Sequence, residues 1–136
     1  MNTLGFIAAI TAFLSIWFGH VAVRKIEFIS PTIWLPTLIF VIAGFIVEGF
    51  SLSTFNFQLS TALGILGITL LFDAFEFTRQ QKRIHKGHAP ANPNNSRHAR
   101  ILADSNSHAT TLDLLKRDPV GRIVSPDDAI KLIEHH

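Results

Sequence analysis

The stretch LSTALGILGITLLFDAFEFTRQQKRIHKG, residues 59–87, decides the fold. From Leu59 to Phe72 it carries no charge; Asp73, Glu76, Arg79, Lys82, Arg83 and Lys86 then come in quick succession. A single helix running through both halves leaves an apolar layer near Asp73 and continues into water for about three turns. Gly87 is its stop, because glycine takes the left-handed conformation that ends helices, and Pro90 blocks a restart. The residues before this element read as its partner in a membrane, and those after it as a tethered tail.

The rest of the composition agrees. All twelve phenylalanines lie at or before Phe77. Up to that point the only Asp, Glu, Lys and Arg residues are Arg24, Lys25, Glu27, Glu48, Asp73 and Glu76. A soluble domain of 136 residues would interleave charge throughout, so this is the pattern of a membrane protein. The absence of Cys excludes disulfides, thiolate catalysis and Cys-based metal centres. A formal net charge of +2 gives no footprint for nucleic acid.

Leu4 to Val23 forms a first span of about 20 residues, roughly 30 Å long, with His20 its one ionisable side chain. Met1-Asn2-Thr3 lacks the positive start of a secretory signal, which favours a retained helix. Arg24-Lys25-Ile26-Glu27 reads as the connection. Ser30 and Pro31 then suit the N-cap and first position of a second span from Thr32 to about Leu52. Residues 51–58 read as a short uncharged turn with aromatics at the water boundary. The third span starts near Phe57 and ends near Phe77. Arg24 and Lys25 come after the first span, no Lys or Arg lies between the second and third, and Arg79, Lys82, Arg83 and Lys86 come directly after the third. The positive-inside rule therefore places the first connection and the tail in the cytoplasm and the N-terminus outside.

The expected divisions are a three-helix transmembrane domain over 1–87, a linker over 88–96 and a cytoplasmic tail over 97–136. Ser96 to Ala103 and Thr110 to Arg117 suit short helices, residues 118–121 a turn, and Ser125-Pro126-Asp127-Asp128 a capped helix start. With so few large apolar groups the tail cannot build its own core, and should dock on something or stay mobile.

Gly19-His20-x-x-Val23-Arg24-Lys25-x-Glu27, then Trp34, Gly64-x-x-Gly67, Glu76, Arg83, Lys86-Gly87 and Pro90-x-Asn92-Pro93, resemble a family of small bacterial integral-membrane proteins, DUF4491, over about residues 3–95. The resemblance implies an all-helical membrane protein and brings no activity, cofactor or catalytic residue. Family members usually carry His-Pro where this chain has His20-Val21, so a proline kink is not carried over. Residues 96–136 look like an addition. Arg117–Val120 and Val124–Ile130 are similar to the opening of a cystathionine-synthase-type nucleotide-sensing module, but the rest of such a module is absent and a common helix-capping phrase is the simpler account.

His20 and Asp73 each lie about 24 Å along their helices, with Glu76 a turn beyond Asp73. His20, Arg24, Asp73 and Glu76 are therefore expected in one layer. They form either a register-fixing ring of interfacial salt bridges or a proton- or ligand-handling site. Glu48 is expected near the opposite boundary, as a snorkelling or protonated carboxyl or a contact for a partner's cation. Ala8, Ala12, Ser15 and Gly19 form one small-residue stripe, and Ser60, Gly64 and Gly67 another, for packing inside the chain or against another subunit. The histidines from His85 onward (His85, His88, His98, His108, His135 and His136) read as surface residues of a polar tail rather than metal ligands.

The expectation is therefore an all-α integral membrane protein of three transmembrane helices with a mostly irregular, short-helical cytoplasmic tail. No residue is assigned to catalysis, a cofactor or a metal. The expected role is that of a non-enzymatic accessory subunit or assembly factor, whose partners are the lipid bilayer and other membrane subunits or further copies of itself. The alternatives are a homo-oligomeric transporter or ion pathway using His20, Asp73 and Glu76, and a haem-binding subunit, which would need a second axial ligand besides His20.

Overall fold

The computed structural model describes residues 3–113, and within them the protein is all-helical. Four helices occur in order: α1 (Leu4–Ile29), α2 (Trp34–Ser53), α3 (Phe57–His85) and the short α4 (Ser96–Ala103). The first three are long and apolar enough to cross a membrane. At 1.5 Å per residue they measure about 39, 30 and 43 Å. α3 thus exceeds a hydrocarbon layer of about 30 Å by roughly three turns, as its sequence predicts.

The ends of the helices obey local chemistry. Asn56 caps α3, its side chain accepting from the backbone N–H groups of Gln58 and Leu59 at 3.0 and 3.1 Å. At the other end Gly87 adopts φ +73°, the one positive φ among the described residues. There the Gly87 N–H donates to Ile84 O and the His88 N–H to Arg83 O, the paired bonds of a Schellman stop. α1 corrects the expected first span: it runs six residues beyond Val23, to Ile29, so Arg24, Lys25 and Glu27 are helical rather than a connection. No breaker precedes Pro31, and Val23 and Glu27 are both buried on one helical face. Ser30 accordingly ends α1 instead of capping α2, and its hydroxyl donates to Thr32 O at 2.7 Å. α2 begins at Trp34, which leaves Pro36 in its first turn, where a missing N–H costs nothing.

α3 is the central rod: α1 and α2 both pack along it and contact each other little. Glycines set both seams. A Cβ on Gly19 of α1 would collide with the Asp73 carboxylate of α3. One on Gly44 of α2 would stand 2.7 Å from Leu71 Cδ2 and 3.1 Å from the Gly67 backbone oxygen. Apolar burial gives little drive inside lipid, so close approach and interhelical hydrogen bonds hold such helices together. Ser51 and Ser60 supply a reciprocal pair, each hydroxyl donating to the other residue's carbonyl, at 2.8 and 2.9 Å. Phe40 and Phe77 stack edge to face at 5.2 Å nearer the other end of the same seam.

Beyond Gly87 the chain turns back over the basic end of the bundle. Ile84, Ala89, Ala91 and Ile101 form a small buried cluster, flanked by Leu102 and Ala109. The Ala91 N–H donates to Thr110 O and the His108 N–H to His85 O, so residues 107–110 run beside 85–91. α4 occupies the bounds expected for it. Thr110 to Asp113 are not helical. The rest of the helix expected over 110–117, the turn at 118–121, the Ser125 helix start and the likeness over 117–130 lie outside the described residues.

Candidate functional site

Two polar clusters lie toward the Ile29 end of α1. The first is an open groove of about 430 Å³ between α1 and α3, lined by His20, Thr69, Asp73, Glu76 and Arg79 with Ile16, Phe72 and Phe75 at its lips. Asp73 is buried because its carboxylate lies over the bare backbone of Gly19, while His20 is exposed in the groove. Glu76 pairs with Arg83 at 2.9 Å, a close ion pair whose N–H is off-axis for a hydrogen bond, and more loosely with the exposed Arg79 at 3.6 Å. His20, Asp73 and Glu76 thus share a site, as their depths along the helices suggest. Arg24 does not join them; it lines a second groove on the other side of α1's end.

Glu48 sits on the α2–α3 seam, its side chain against Gly67 and near Gly64. A Cβ on Gly67 would stand 2.8 Å from Glu48 Oε1, so the glycine makes room for the carboxyl. Ser60 and Gly64 lie on the same side, close to Ser51. Of the α1 stripe, Gly19 is buried and Ala8, Ala12 and Ser15 are partly buried. Gly44 belongs to the packing set as well, although no small-residue repeat marks it.

No pattern in the sequence marks the second cluster. Glu27, 1 % exposed, forms an ion pair with Arg97 Nη1 at 2.8 Å and accepts from His98 Nε2 at 3.1 Å on the same carboxylate oxygen. His98, expected as a surface histidine, is completely buried. Its Nδ1 accepts the Asn92 backbone N–H at 2.9 Å, so the proton resides on Nε2 and points at Glu27. The same segment satisfies the carbonyls that end α1. Asn92 and Asn95 amides donate to Phe28 O at 3.1 Å each, Asn95 also to Ser30 O at 2.9 Å, and Arg97 Nη2 to Glu27 O at 2.7 Å. A helix end leaves four carbonyls without partners, and here the segment after α3 supplies donors to two of them, Glu27 O and Phe28 O. Asn92 and Asn95 carry side-chain amides whose two N–H groups suit that task. The hints in sequence are Glu27 and Asn92-Pro93, which both stand in the family-like pattern but are not paired by it.

Of the remaining histidines, His85 is half-exposed and pairs with Asp104 Oδ2 at 3.3 Å, while His88 and His108 are exposed. The Asn106 backbone N–H, and next the His85 side chain, hold the Asp104 carboxyl below its ordinary value of 3.8. No group of three His, Asp or Glu side chains converges at metal-ligand spacing among the described residues.

Neither a curated protein nor a solved structure matches the chain. A family model matches over residues 2–95, which takes in the three long helices, both glycine seams, Glu27 and the asparagine pair, and stops short of Arg97 and His98. The chain therefore belongs to the family described as a domain of unknown function, DUF4491.

Proposed function

We infer that this chain is a non-enzymatic accessory subunit of a larger membrane assembly. It sits in a bacterial inner membrane with its N-terminus outside and its tail in the cytoplasm. The supporting observation is the groove of His20, Asp73 and Glu76, which opens sideways between α1 and α3 rather than into an enclosed cavity. Phe72 and Phe75, 69 % and 71 % exposed, frame it. His20 and Asp73 lie about 6 Å inside a hydrocarbon layer of about 30 Å. Polar groups facing lipid at that depth are costly, so a polar helix of another subunit is the fitting cover. Two helices on one central rod leave wide outward faces for such a partner. Arg24, Lys25 and the basic end of α3 support the orientation.

The test is site-specific photo-crosslinking in native membranes from position 75 and, as control, from Phe6 on the far end of α1. Crosslinks to a protein from position 75 alone support the reading. A chain that crosslinks only lipid from both positions, and purifies as a monomer with nothing bound, refutes it.

A second reading, an ion or proton pathway, draws on the burial of Asp73 beside an exposed His20 in the same groove. It requires several copies, since one chain encloses no path. Liposome flux that is unchanged by His20→Ala and Asp73→Asn would dismiss it.

A further inference from the structure

We propose that the groove at the end of α1 binds the phosphate of an anionic phospholipid headgroup. This groove, of about 530 Å³, is separate from the groove of His20 and Asp73 and lies between α1, α3 and the folded-back segment. Three donors meet in it. Arg24 and Lys25 are exposed and form no ion pair with a described residue. Gln80 is 5 % exposed, and its amide oxygen accepts Arg83 Nη1 at 3.2 Å, which fixes the amide orientation. Its amide nitrogen then has no acceptor among the described residues, although it is a strong donor lining the cavity.

The acids nearby do not neutralise these donors. Glu27 forms part of the wall, but its carboxylate is committed to Arg97 and His98. Asp113, at the far rim, has an interaction of its own and is not a free carboxylate. With Glu27 offset by Arg97, Arg24 and Lys25 outnumber Asp113, so the described lining keeps a net positive charge.

Depth and apolar surface select a lipid over a soluble anion. Arg24 lies 20 residues past Leu4, about 30 Å along the helix, which puts it at headgroup level. Val21, 38 % exposed and three residues nearer the hydrocarbon layer than Arg24, lines the same groove and offers acyl chains a surface. A phosphodiester seated between Arg24, Lys25 and the Gln80 amide would point its tails past Val21 toward the hydrocarbon layer. Basic pockets beside membrane helices recognise headgroups in this way, with a contribution near fivefold in affinity per charge.

The full-length protein in detergent is assayed by native mass spectrometry and thermal unfolding with added phosphatidylglycerol, phosphatidylcholine or inorganic phosphate. Phosphatidylglycerol should be retained and should raise the unfolding midpoint, and the other two should not. The exposed double variant Arg24→Gln/Lys25→Gln should bind about thirtyfold more weakly. Arg24→Lys/Lys25→Arg should keep phosphatidylglycerol binding, as should Lys82→Gln/Lys86→Gln, which alters the exposed basic end of α3 outside the groove. Equal retention of phosphatidylcholine, or an equal shift with inorganic phosphate, overturns the proposal. So does equal loss in the two Gln variants, which would mean diffuse attraction rather than a site. The wild-type lipid comparison stands whether or not any variant folds.

Discussion

Replacing Arg97 by Ala should release the segment over 88–110 while leaving the three long helices packed. Arg97 is 11 % exposed in its side chain, and its guanidinium faces a carboxylate that is 1 % exposed. Removing one partner of such a buried pair leaves an uncompensated charge, at a cost of about 3 kcal/mol. The lost donors to Glu27 O and Ser30 O add to this figure, and water entering the opened site subtracts from it. The loss is local, because the cluster beneath the segment is small and the glycine seams of α3 lie elsewhere. Hydrogen exchange of the full chain in detergent measures it directly. At about 1.36 kcal/mol per tenfold, amides of Ala91, Ala99 and His108 should exchange about 150-fold faster, with those of α2 unchanged. The Glu27→Gln/Arg97→Gln double variant should recover much of the loss, since it removes both charges together. A change under about threefold in Arg97→Ala, or an equal acceleration in α2, would refute the reasoning.

The same geometry sets other outcomes. Gly87→Ala should cost about 1–2 kcal/mol, because a left-handed residue gains a Cβ and that Cβ meets the His108 carbonyl; thermal unfolding would read this. Gly19→Ala should cost about 1–3 kcal/mol by overpacking α1 against Asp73, and Gly19→Ala/Asp73→Ala should be less impaired than Gly19→Ala alone. Lowering pH should loosen the turn at Asp104. Its carboxylate is favoured in the folded state, so its contribution is present above the ordinary value of 3.8 and lost as pH falls through the lower folded value. The Asn106 amide resonance should titrate with a midpoint below 3.8, and Asp104→Asn should abolish that titration.

Much of this protein is a reading of local physics. Three long apolar runs predict three membrane-crossing helices, because length and hydropathy are properties of a segment alone. The Gly87 stop is legible for the same reason: a left-handed residue is a local need that glycine meets. The α4 bounds are those of a polar run flanked by Asn95 and Asp104. Composition places the end of the first span too early because a charge signals the end of apolar character, whereas a helix ends at a breaker, and Pro31 is the first one.

Pairing across the fold is another matter. No periodicity announces that Glu27 meets His98 across 71 positions, that His98 is buried, or that Asn92 and Asn95 complete the end of α1. The same holds for the separation of Arg24 from His20, Asp73 and Glu76, which share a depth but not a face. Sequence alone determined which segments are long and apolar enough to cross a membrane and that α3 stops at Gly87, since hydropathy and backbone strain act residue by residue. Tertiary structure decided which polar groups share a partner, since that depends on how the chain turns after Gly87 and which side of each helix then faces the other.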